Sequence, residues 1–168
     1  MHDFLQQLKQ PEYVHVLLNP IPVYGMISGI LALIVALILR SRPAQVTALV
    51  VVIFAAISVW PVKEYGERAY DRVYSMSNKD AQEWLDVHMH RADLGMWVYY
   101  VTATVAVVAV ILPKFKPRTQ VPLAFATLVL AMASLWVGAW ISQAGGKVRH
   151  SEFRNGPPPN PVTHEEEH

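Results

Sequence analysis

Seven histidines and no cysteine define the chemistry open to this chain. His15, His88, His90 and His150 stand beside long apolar runs, whereas His2, His164 and His168 lie near the chain ends and are given no role. Neutral imidazole ligates iron, copper and zinc. Without thiolates there can be no cysteine-held iron–sulfur cluster, no disulfide and no haem attached through Cys-x-x-Cys-His. A haem would have to be a non-covalent haem b, with imidazoles from facing helices on the iron, small residues opening a slot and cations near the propionates. The candidates are His15, His88 and His150 as ligands, Gly95, Gly138 and Gly145 for clearance, and Arg149, Arg68 or Lys147 for propionates. A competing chemistry is a Zn, Cu or Fe site on His15, His88 and His150, with Glu64, Glu67 or Asp86.

His88 and His90 are two residues apart, about 200° around a helix, so they cannot share a face. The line Ala81, Trp84, His88, Ala92, Gly95, Tyr99, Thr102, Ala106 is apolar or small. The line Glu83, Asp86, His90, Asp93, Trp97 is charged through its first four positions. The first reads as a buried seam, so His88 is the ligand choice and His90 the alternative. The second reads as a solvated face bridged by Arg91 and Arg68.

Four apolar runs must position these residues: Ile21–Leu39, Ala44–Val62, Leu94–Pro113 and Val121–Ser142. Each is about the 20 residues that a helix needs to cross a hydrocarbon core. The expected fold is all-α, an integral membrane four-helix bundle. With 168 residues and 16% charged, the chain has no room for a separate soluble catalytic domain. The loops Arg40-Ser-Arg42-Pro43 and Lys114-Phe-Lys116-Pro-Arg118 hold five cations and no acid, which marks them as cytoplasmic. The topology is then N-out, C-out in a bacterial inner membrane. All thirteen Asp and Glu and all four candidate histidines fall on the periplasmic side.

Three regions follow: 1–19, an interfacial N-terminal segment; 20–146, the transmembrane domain; and 147–168, an extracytoplasmic tail, partly disordered. Residues 1–14 lack the basic-then-apolar order of a cleavable signal, so helix one is expected to insert as an anchor. Asn19-Pro20-Ile-Pro22 should break the chain before helix one. Helix two should continue above the membrane through Glu64, Glu67 and Asp71. Ser77-Asn78-Lys79-Asp80 resembles a capping box, starting a third helix of about 33 residues near position 79. Gly145-Gly146 should end helix four and let Arg149 and His150 fold back over the bundle mouth, a plain helix end being the alternative. Gly25-x-x-x-Gly29 and the stripe Ala124, Thr127, Ala131, Ser134, Gly138 suit close helix packing, with dimerisation through the two glycines the lesser reading. Trp60, Trp97, Trp136 and Trp140 suit an interfacial belt, and all but Trp97 could also wall a pocket.

The run Val14-His15-Val-Leu-Leu-Asn-Pro20-Ile-Pro22 resembles the opening of an uncharacterised family of bacterial four-helix membrane proteins, which begins with a His-Pro-Leu-Leu-x-His-Phe-Pro-like segment. Gly145-Gly146-Lys-Val-Arg149-His150 is similar to that family's Gly-Gly-x-x-x-His ending. The likeness covers residues 14–153. It departs at Val16, where the family has proline, and at the missing second histidine near Asn19. It implies a four-helix bundle and, through the family's histidines, haem binding or electron transfer. A second haem using the missing histidine is not implied.

The expected role is electron transfer between a periplasmic cytochrome or other redox subunit and membrane quinone or a partner subunit. The alternative is a structural or assembly subunit whose histidines make only polar contacts. No Ser-His-Asp order or zinc-protease motif supports a hydrolase, and no basic extramembrane face supports nucleic-acid binding. No ionisable residue lies within the four spans, as a transporter would require.

Overall fold

The computed structural model describes residues 2–156, with side chains from residue 5. The proline-rich and Glu165-Glu-Glu parts of the expected tail, with His164 and His168, lie outside the described residues. Among the described residues there are seven α-helices: α1 His2–Gln7, α2 Pro11–Leu18, α3 Pro20–Ile38, α4 Arg42–Ile57, α5 Val59–Ser75, α6 Lys79–Ile111 and α7 Gln120–Arg149. No strand is present among the described residues.

Four of the continuous helical runs are long and apolar enough to cross a membrane: Pro11–Ile38, Arg42–Ser75, Lys79–Lys114 and Pro117–Arg149. By length and composition these four suggest a multi-pass membrane protein. The expected break at Asn19-Pro20 does not occur. Asn19 keeps helical dihedrals (φ −53°, ψ −34°) and its N–H still donates to the His15 carbonyl at 2.9 Å. Pro20 and Pro22 sit in the first turn of α3, so they remove hydrogen bonds across the junction without turning the chain. Pro61 similarly lacks the N–H that Ile57 would receive, which leaves only a slight irregularity at Ser58 between α4 and α5. The extension of helix two is therefore present, running to Ser75.

Helix α6 begins at Lys79 and spans 33 residues, as expected, but its cap is Asn78. The Asn78 Oδ1 accepts from the Ala81 N–H at 3.0 Å, while Ser77 donates to the Val73 carbonyl. At about 1.5 Å per residue α6 is roughly 50 Å long, well over the roughly 30 Å of a hydrocarbon core. Its charged first turns and the charged later turns of α5 thus project from one end of the bundle.

The helices α3, α4, α6 and α7 close a ring in which each packs on its chain neighbour and α7 returns to α3. Outside it, α2 lies along α5. Small residues line the seams, as lipid-embedded packing requires. A Cβ at Gly25 would stand 2.9 Å from the Ala55 Cβ, and one at Gly29 would stand 2.7 Å from Val52 Cγ2. Both glycines are thus occupied inside the bundle, not on a dimer face. Ala124, Thr127, Ala131, Ser134 and Gly138 are all buried, and Ser134 meets Thr102 of α6 at 2.8 Å. Arg42 donates to the Ala109 and Val110 carbonyls at the opposite end from the histidines, satisfying the C-terminal turn of α6. A smaller apolar cluster of Trp84, Leu85, Ala144 and Val148 ties the projecting parts of α6 and α7.

Candidate functional site

The fold brings the rings of His15 and His88 together, nearly perpendicular to one another. His15 is carried by α2 and packs on α5, where its Nδ1 lies 2.8 Å from the Val62 carbonyl. His88 is carried by α6 and packs on α7, with its Nδ1 3.0 Å from the Ile141 carbonyl. A carbonyl only accepts, so in each ring Nδ1 is the donor, and in the neutral form of the ring Nε2 is the nitrogen with the lone pair. The ring centres are 6.3 Å apart and the planes are inclined by 80°. Glycines lie against both rings: Gly66 against His15 and Gly145 against His88.

The pair stands between two cavities and lines both. The inner one, of about 50 Å³, runs down the apolar seam to Tyr99 and Gly138. The outer one, of about 350 Å³, is bordered by Glu12, Asn19, Arg149 and His150. His88 lies ahead of the span that begins at Leu94. Its burial, against the opposing effect of the Ile141 carbonyl, holds its pKa below the ordinary histidine value and keeps the ring neutral.

The seam read along α6 is the buried one: Ala81, Trp84, Gly95, Tyr99, Thr102 and Ala106 are buried and His88 is half-buried. His90 is exposed with Asp93 and Trp97. The charged face is bridged, but by other partners than expected. Lys63 pairs with Glu67 and, at 3.0 Å, with Asp93; Tyr70 donates to Asp86. Arg91 instead reaches across to the Trp140 carbonyl on α7, at 2.8 Å, and lies over that indole ring.

Gly145-Gly146 does not stop helix four. Helix α7 continues through both to Arg149, because Gly145 serves close approach of the His88 ring within a helix, not a left-handed turn. His150 therefore stays at the mouth of the outer cavity. Its Nδ1 meets the Glu152 carboxylate at 2.9 Å and its ring stacks on Phe153, so it does not join the pair. The Glu152 carboxyl is held below its ordinary pKa, first by its own backbone N–H and next by His150. Arg149 is exposed at the same mouth and has no hydrogen-bond or ion-pair partner among the described residues.

Other expected roles are displaced. Arg68 pairs with Glu64 at 2.7 Å, and Lys147 lies over the Trp84 ring at 4.1 Å. Gly95 gives clearance to Val137 and Ile141, and Gly138 to the Tyr99 hydroxyl, so both serve packing between protein groups. Trp60, Trp136 and Trp140 are exposed on the outside of the bundle and wall neither cavity.

Sequence reasoning missed Glu12, Gly66 and Lys63. Glu12 lies three residues before His15 on one helical face, a Glu-x-x-His spacing that was legible. Its Oε1 pairs with Arg72 at 3.0 Å, while its Oε2 is buried without a partner. Gly66 had no local signal, since it matters only once α2 lies on α5. Among the described residues no three His, Asp or Glu side chains converge as a metal site. The donor set is two facing imidazoles.

Fold and site together define an all-helical type of protein, with four helices long and apolar enough to cross a membrane and a histidine pair at one end of its bundle. No family model matches the chain, and comparison with curated proteins and with solved structures finds no match.

Proposed function

We propose that this protein holds haem b between His15 and His88 and passes single electrons between a periplasmic redox protein and membrane quinone or a partner subunit. The observation that carries the reading is the geometry of the pair. With metal–nitrogen bonds of about 2 Å, His15 and His88 would be close enough to hold one iron between them. The separation of the two ring centres is 6.3 Å. Two imidazoles are too few for a structural or catalytic zinc. They suit an iron whose four other ligands come from a macrocycle, and that group would supply a one-electron couple.

The chain's own residues supply the rest. His15 and His88 present neutral, strong-field nitrogens with the second nitrogen tied to a carbonyl. The seam below them, closed by Tyr99 and small residues, keeps water from the membrane side. Arg149 offers a cation to propionates at the outer mouth. The basic loops support a periplasmic orientation in a bacterial inner membrane, where the histidine rim is within reach of a soluble carrier. The likeness to the four-helix membrane family agrees with this role.

The test is an absorption spectrum of detergent-purified protein, as isolated and after addition of haemin. About one haem per chain is expected, with low-spin b-type bands in the reduced-minus-oxidised difference. A protein that takes up no haem under either condition would end the proposal.

A further inference from the structure

One local arrangement occurs twice. On α5, the Val62 carbonyl accepts from His15 and Gly66 follows four residues later; on α7, Ile141 and Gly145 stand in the same relation to His88. In an α-helix the carbonyl of residue i already receives the N–H of residue i+4. A second donor must reach it across the face that the side chain of residue i+4 would cover. A Cβ at Gly66 would lie 3.0 Å from Nδ1 and 3.1 Å from Cε1 of His15. One at Gly145 would lie 3.0 Å from Cε1 and 3.1 Å from Nδ1 of His88. Glycine is a poorer helix former than alanine, so two mid-helix glycines under two imidazoles call for a cause beyond helix formation.

We infer that Gly66 and Gly145 are positioning residues of the histidine site, each keeping open the place from which an imidazole donates its Nδ1–H to a helix carbonyl. Both rings are thereby held in the tautomer with Nε2 unprotonated before any metal arrives. Without the carbonyls, neutral imidazole would favour the other tautomer, and a proton would have to leave Nε2 before it could ligate. This rests on the reading that the pair ligates iron, but the tautomer is a property of the metal-free chain and can be read there.

The experiment uses full-length protein in detergent at pH 8, labelled with 15N-histidine, with His15 and His88 assigned through His15→Asn and His88→Asn. Both rings are expected to show a protonated Nδ1 and a bare Nε2 in the haem-free wild type. Gly66→Ala should return His15 alone toward the tautomer mixture of free imidazole, and Gly145→Ala should do the same to His88 alone. Thermal midpoints of the haem-free variants should hold or rise, because alanine favours the helix. Haemin affinity of each variant should fall by about tenfold, the usual scale for disturbing a ligand's outer partner.

Unchanged tautomers in both variants would overturn the inference. So would loss of both histidine signals together with a fall in thermal midpoint, which would make the glycines packing residues only. A wild type that shows the tautomer pattern and the variant-specific changes yet binds no haemin would uphold the positioning and defeat the haem reading instead.

Discussion

His88 and His90 show how finely a helix sorts chemistry. Two residues apart, one donates to a carbonyl on α7 and the other faces outward among acids and solvent. The period of the helix was enough to separate them, because the apolar line through His88 continues unbroken to Ala106. Its partner was legible only as one of two candidates, His15 or His150. His15 meets His88 only after α2 docks on α5, and the carbonyls that hold the rings, Val62 and Ile141, are 47 and 53 residues from their histidines. His150 fails for a related reason: the helix carrying it runs on past the site, leaving its ring with Glu152 and Phe153. Replacement at the pair should therefore differ in kind from replacement elsewhere. If the proposed haem is held by this pair, His15→Ala and His88→Ala should each abolish its low-spin spectrum and most haem retention, since a nitrogen that would ligate the iron is lost. His90→Ala and His150→Ala should leave the spectrum as in the wild type. If the His88 and His90 variants behaved alike, α6 would supply no ligand.

At the scale of the element, glycine was the residue most easily misread. A Gly-Gly pair after an apolar run signals a helix end because glycine accepts positive φ, yet α7 carries both in helical conformation and ends three residues later. The same residue serves turns and close contacts, and only the neighbour decides which. Gly25 and Gly29 illustrate the contact role, set against Ala55 and Val52 of α4. Gly29→Leu should force α3 away from α4 and lower stability by about 1–3 kcal/mol, the usual range for overpacking. The decrease should appear in thermal or denaturant unfolding in detergent, with the mass of the protein particle in light scattering unchanged. A change in that mass at constant stability would put the glycine on an interface between copies. The start of α6 is legible locally, since a cap acts within three residues: Asn78, inside the capping-box-like run, opens the helix at Lys79.

The whole molecule is organised by charge as well as by hydropathy. Among the described residues, the two basic turns between the long apolar helices carry no carboxylate, and the acids stand on the segments toward the histidine pair. In the proposed orientation, which the positive-inside rule supports, that end faces the periplasm. Alkaline phosphatase fused after Arg118 should be inactive and a fusion after Arg154 active, as read by enzyme activity in intact cells expressing equal amounts of each. The reversed pattern would place the pair in the cytoplasm and remove a periplasmic carrier as the partner.

What the sequence determined alone is whatever depends on neighbours within a few turns: four apolar helices, their lengths, the basic turns, the start of α6 and the buried face of that helix. These follow from hydropathy, helical period and local capping, all of which act over short stretches of chain. The tertiary structure decided the pairing of His15 with His88, the uses of Gly66 and Gly145, and the partners of Lys63, Arg68 and Arg91. Each of those depends on the rotation and depth at which one helix meets another. That register is set by side chains distributed over both helices, so no single stretch of sequence contains it.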